Sequence, residues 1–257
     1  DVYKRQLFLS ARDLYEICSH VEDYEVLGYW HACSPPGSGE LDKVISGSIM
    51  REIQNWNSST NSLISFVDRI GHFLYEAGYT RELLIRLREI SVELEDKREP
   101  KDPKKALVSK ANLGNLYDSL GMYDKSISLL NECSKESVGI FGKSSLYSIQ
   151  CLRSLFSAYR GKEDLVNAEI VCNQLLLVAR EAYPEAHPEV TRCKLCLAGL
   201  RFSNEDFDDA HSIYIDALES AILFYGHGSR EVLDIENNLV STLWAMNKNE
   251  QAKAIID

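Results

Sequence analysis

The chain has 257 residues, 45% of them hydrophobic and 26% charged, and a formal net charge of -11. That composition belongs to a folded globular protein long enough to bury a real core. The negative field repels phosphate and so disfavours nucleic acid and anionic membranes as partners, and no apolar run approaches the ~20 residues that cross a bilayer.

The opening "DVYKRQ", residues 1–6, reads as a non-native scar and is set aside; no initiator Met precedes it. Residues 7–60 are expected to be a helical segment that joins the rest to an absent upstream domain. Leu7, Leu14, Ile17 and Val21 share one face there, and "CSPPGSGELD" (33–42) is expected to break it. In residues 81–96, Leu83, Leu84, Leu87, Ile90 and Leu94 form one stripe, the spacing of an amphipathic helix. Charged "EDKREPKDPKK" (95–105) then reads as a link. "NLGNLYDSLGMYDKSISLL" (112–130) reads as one helix ending near Gly121 and a second starting near Tyr123, with Gly121 as a left-handed cap. Residues 164–182 and 206–225 read as further second helices, and 190–202 and 230–246 as first helices. The last segment, "NEQAKAIID", reads as a helix cut short, so the chain is expected to be a fragment of a longer protein.

Slid against itself by 42 positions, the sequence keeps its residue classes in register. Ser126, Ala168, Ala210 and Ala252 fall in one column, Leu113, Leu155, Leu197 and Leu239 in another, and Phe141, Tyr183 and Tyr225 in a third. Gly142, Pro184 and Gly226 follow the aromatic column. A fixed period of this size marks a repeat architecture in which each unit buries its apolar face against its neighbours. The small column suits a close approach of two antiparallel helices, the Leu column fills the gap between them, and the aromatic column closes each second helix before Gly or Pro stops it.

These columns, with "NLGNLYDSLGMYDKS", "AHPEV" (186–190) and "NNL" (237–239), resemble the tetratricopeptide repeat. The match is best to the 42-residue variety of kinesin light chains and nephrocystin-type proteins. Glu163 and Glu205 depart from it by replacing the turn glycine, and Arg201 by replacing Tyr117 and Tyr159. The resemblance implies an all-α chain, a right-handed α-α superhelix built from antiparallel helix pairs, over residues 61–257. The expected repeats are about 61–98, 103–142, 145–184, 187–226 and a truncated 229–257. "VLGYWHA" (26–32) is similar to the short junction between a nucleotide-driven switch module and the repeats in nephrocystin-type proteins. It implies, as an alternative role, the catalytically silent sensor region of a signal-transduction NTPase.

Several motifs invite chemistry and do not sustain it. "GIFGKSS" (139–145) looks like a phosphate loop, but the glycine such a loop needs falls at Ser137, and Gly142 sits in the column that ends each second helix. Cys193-Lys194-Leu195-Cys196 is a lone C-x-x-C without a second pair of ligands. The six histidines form no H-E-x-x-H pair, and no nucleophile elbow is present. No enzymatic activity, cofactor or metal is expected. Seven irregularly spaced cysteines point to a reducing, cytoplasmic setting rather than a disulfide framework, despite a formal sequon at Asn57. The expected function is a protein–protein interaction scaffold that takes a peptide or partner protein in the groove lined by first helices. Residues on the helical face around the Leu column are the candidates: Asn115 and Asp118; Arg153, Ser157 and Arg160; Phe202; and Asn237, Ser241 and Trp244. The resemblance adds Asn112 and Asn238, which match the family's position for holding a bound peptide's backbone. Arg153 and Arg160 suit a carboxylate, and Phe202 and Trp244 an apolar anchor. The sequence does not set an oligomeric state.

Overall fold

The computed structural model describes residues 39–76 and 81–256; "VLGYWHA" and the proposed face of Leu7, Leu14, Ile17 and Val21 lie outside them. The described residues contain eleven α-helices and no strand. They fall into two compact units that divide between Leu120 and Gly121.

The first unit holds α1 (Gly39–Gln54), α2 (Thr60–Glu76), α3 (Arg81–Lys97) and α4 (Pro103–Ser119). Helix α1 begins inside the stretch expected to break the chain, so "GELD" is helical rather than part of a loop. The core is made by Ile49 of α1, Phe66, Ile70, Phe73 and Leu74 of α2, and the expected stripe Leu83, Leu84, Leu87 and Ile90 of α3, with Leu94 at its margin. Trp56 packs on Phe66 with ring centroids 4.8 Å apart. Helix α4 starts where its sequence dictates: the Asp102 side chain accepts a hydrogen bond from the Lys105 N–H, and Pro103 occupies the first turn, where no amide donor is missed.

The second unit holds α5 (Tyr123–Phe141), α6 (Leu146–Gly161), α7 (Leu165–Ala182), α8 (Pro188–Ser203), α9 (Phe207–Tyr225), α10 (Arg230–Ala245) and α11 (Asn249–Ile256), each packed on the next. Starts at 123, 165, 207 and 249, and at 146, 188 and 230, keep the 42-residue step of the sequence columns. Ser126, Ala168, Ala210 and Ala252 have no exposed surface. A larger side chain there would cost roughly 1–3 kcal/mol in overpacking. Leu155 and Leu239 are buried as their column requires, whereas Leu197 is only partly covered at the edge of the core.

The turns between successive pairs explain the phosphate-loop lookalike. Gly142 ends α5 with φ 94°, a conformation open to glycine, and Ser145 caps α6 by accepting from the Ser148 N–H at 3.1 Å. His187 and Ser229 do the same for α8 and α10. The aromatic column lies against the start of the next helix: Phe141 stacks on Tyr147 at 4.4 Å and Tyr183 on His187 at 4.1 Å.

The turns within pairs share one backbone shape. Glu163, Glu205 and Asn247 have φ of 62°, 61° and 59°, and Gly121 has 73°. These four positions are also 42 residues apart. In each of the last three, the N–H one residue on reaches back to the preceding helix, from Asp164 to Tyr159 O (3.0 Å), Asp206 to Arg201 O (2.9 Å) and Lys248 to Leu243 O (2.8 Å). This left-handed closure satisfies helix-end carbonyls, and glycine is its ordinary residue. The missing glycines therefore changed the residue but not the turn.

Candidate functional site

In the first unit, Asn112 and Asn115 stand one turn apart on α4, and both are exposed. They line a cleft of about 280 Å³ together with His72 and Tyr75 of α2 and Arg88 of α3. Arg88 is fixed by an ion pair with Asp68 at 3.2 Å, and Asp68 also accepts from Ser91 Oγ at 2.8 Å. Asp118, half-buried one turn on from Asn115, does not line the cleft. His72, Tyr75 and Arg88, which also line it, were not among the residues expected from the sequence: the candidates were taken from the face around the Leu113 column of residues 103–257, and the cleft draws on α2 and α3.

In the second unit, α6 and α8 gather positive charge. Glu189, in the first turn of α8, is 8% exposed and lies 3.1 Å from Arg153 of α6 and 2.7 Å from Arg192. The sequence reading offered Arg153 to a ligand's carboxylate; the structure gives it one from the chain itself. Burial pushes the Cys196 thiol up, and the guanidiniums of Arg153, Arg160 and Arg192 each pull it back down. Arg153 and Arg192 thus share the one carboxylate of Glu189, and all three arginines act on the Cys196 thiol. Arg160 lies over the Phe156 ring at 5.9 Å and makes no ion pair among the described residues. Buried Tyr214 of α9 belongs to the same neighbourhood: burial raises its hydroxyl and Arg160 lowers it. Ser157 is half-buried one turn before Arg160.

The remaining candidates are spread along α8 and α10. Phe202 is half-buried and meets Phe207 edge-on at 5.3 Å, so its ring is partly committed to the start of α9. Asn237, Asn238, Ser241 and Trp244 are exposed on α10, and Trp244 keeps 52% of its surface in solvent. Ser241 Oγ donates to Asn237 O at 2.9 Å.

The first cysteine of the C-x-x-C is core, and Cys196 is half-buried at its margin. Cys193 packs beside Cys172 in the interior, and burial pushes both thiols up to about 12, which keeps them protonated and poor as metal ligands or nucleophiles. No group of metal-binding side chains occurs among the described residues, and no helix among them is long and apolar enough to cross a membrane. Between the two cysteines lies the feature least expected from the sequence. Lys194 is 1% exposed, and its Nζ lies 2.8 Å from Glu185, 2.9 Å from Asp216 and 3.1 Å from Ser220 Oγ. Arg180 also binds Glu185, at 2.9 Å. A charge this buried is tolerated only when its donors are all used. The signal was present in "VTRCKLCL": a lysine inside the stripe Val190, Cys193, Leu197.

No family's sequence pattern matches the chain, and no curated protein matches it. Solved structures do. BtubC (BKLC) from P. vanneervenii superposes with a TM-score of 0.67 at 16% identity, over 84% of this chain and 85% of that one. The nearly identical TPR-like repeats of a Podosopora anserina putative kinesin light chain give 0.66 at 14%, over 78% and 94%. A Rap protein complexed with Competence and Sporulation Factor gives 0.60 at 11%, over 98% and 74%. At these identities the likeness concerns architecture, and it agrees with the period, the small column and the turn geometry. The chain has the all-α, tetratricopeptide-like solenoid fold.

Proposed function

We propose that this chain is a non-enzymatic interaction module that receives an extended segment of a partner protein along its first helices, with Arg160 anchoring an acidic side chain of that segment. One observation carries the reading. In a chain of net charge -11, Arg153 and Arg192 share the carboxylate of Glu189, whereas exposed Arg160, on the same helix as Arg153 and over the Phe156 ring, has no ion pair among the described residues. A guanidinium with open donors favours a carboxylate held by two parallel hydrogen bonds. The exposed amides of Asn237 and Asn238 can both donate to and accept from a backbone, and Trp244 offers an aromatic surface. The Rap protein of the same fold is complexed with a factor, which supports recognition of another molecule as a use of this architecture.

The test is to pan a random twelve-residue peptide library on the 257-residue chain. Enrichment of sequences with Asp or Glu, lost on Arg160→Glu while far-UV circular dichroism is unchanged, supports the reading. Enrichment without acidic residues, or acidic enrichment that survives Arg160→Glu, overturns it. Arg153 is unsuited to this test, because its reversal would set two carboxylates against each other at Glu189.

A further inference from the structure

Helix α7 is apolar on two sides. Its inner face, Ala168, Val171, Cys172, Leu175 and Ala179, is core. On the opposite side Val166, Ile170 and Leu177 are 73%, 60% and 58% exposed. The repeat supplies its own control for this second stripe. The matching positions one repeat earlier are Asp124, Ser128 and Lys135, and one repeat later Asp208, Ser212 and Glu219, all of them exposed. The same places in the same fold are polar in both neighbours, so packing within the unit does not demand the apolar residues of α7. A contiguous exposed apolar stripe on a folded chain is a mark of an interface.

The spacing tells what kind. Val166, Ile170, Asn173 and Leu177 follow steps of four, three and four, the seam of a two-helix coiled coil, with one polar residue of the type that fixes register. Under a two-fold axis between Ile170 and Asn173 the seam complements itself. Val166 meets Leu177 of the second copy, and Ile170 meets its Asn173. At the ends, Glu163 just before the helix meets Arg180 in the last turn. Glu163 is exposed and has no ion pair among the described residues; Arg180 is exposed and pairs only with exposed Glu185. Charge and apolar pattern thus fit the same antiparallel register.

We infer that the outer face of α7 is a self-association surface, on which a second copy of this chain docks antiparallel through Val166, Ile170, Asn173 and Leu177 with Glu163–Arg180 pairs at both ends. One helix pair is a small contact, at the low end of specific interfaces, so the dimer is weak. This surface lies on a second helix and is independent of the arginine site.

Sedimentation velocity of the 257-residue chain from 2 to 200 μM tests it. The expected result is a rise from the 29.1 kDa monomer towards twice that mass. Ile170→Ser with Leu177→Lys, which copies residues of the preceding repeat and spares the core, should abolish the rise without loss of helicity. Glu163→Arg should weaken association several-fold, because it sets two cations together at each end of the seam. A monomer throughout the range overturns the inference, since the stripe would then serve some other partner. Dimerisation that survives the Ile170→Ser/Leu177→Lys change, or association unchanged by Glu163→Arg, also overturns it.

Discussion

Glu205 offers a direct measure of what the repeat geometry imposes on the chain. Its φ of 61° is forced by the turn between α8 and α9, since Gly121, Glu163 and Asn247 take the same shape at the matching positions. A residue with a Cβ pays roughly 1–2 kcal/mol for the left-handed region. Glu205 is exposed and makes no side-chain hydrogen bond among the described residues, so its removal gives up little. Glycine returns about 0.4–1 kcal/mol through the greater freedom it brings to the unfolded chain. The balance predicts that Glu205→Gly stabilises by roughly 0.5–1 kcal/mol. Gly121→Ala places a Cβ at φ 73° and, by the same balance with its sign reversed, should destabilise by roughly 0.5–1 kcal/mol. Urea unfolding followed by circular dichroism, fitted with a shared slope, resolves differences of this size. A lower midpoint for Glu205→Gly, or a neutral Gly121→Ala, would refute the claim that the turn dictates its backbone whatever residue it holds.

Three further outcomes follow from the second unit. Hydrogen bonds from Arg180 and then Lys194 hold the Glu185 carboxyl down to about 2 from its ordinary 4.5. A depressed folded-state value means stability present above pH 4.5 and lost as pH falls through about 2, so the urea midpoint should drop across that window. Lys194→Met should lower stability at pH 7 by about 1–2 kcal/mol, because its half-exposed acidic partners return to water, and should make the acid loss shallower while Arg180 still binds Glu185. Gly161→Ala should cost about 1–3 kcal/mol, because a Cβ there would collide with the Tyr123 ring of the preceding pair. Near-zero cost, seen in the same unfolding assay, would mean that this ring is free to move away.

The architecture was legible because close packing leaves a residue-type trace: four positions that must be small read Ser126, Ala168, Ala210, Ala252, and each is fully buried. Helix starts follow side-chain caps rather than packing: Ser145, His187 and Ser229 cap and Pro103 and Pro188 begin, so α8 starts at 188 where the sequence reading began it at 190. Electrostatic partnerships were not legible. Glu189 and Arg153 are 36 positions apart, off the repeat period, and a column test cannot register a contact made between neighbouring repeats. Lys194 was hidden by its type: a charge implies the surface unless its partners are known, and Glu185, Asp216 and Ser220 come from a turn and another helix. The left-handed turns at Glu163 and Glu205 were legible only through their register with Gly121, because a glutamate does not itself announce such a backbone. The α7 stripe was readable in principle as three apolar residues in otherwise polar columns, but its exposure needed the structure.

Amide hydrogen exchange of the chain with and without an acid-bearing peptide enriched by panning tests the central claim most directly. Slowed exchange in α6, α8 and α10, strongest around Arg160 and Cys196 and absent in Arg160→Glu, is the predicted result. Protection confined to α5, α7 and α9 with α6, α8 and α10 unchanged would place the partner on the other helices and contradict the account.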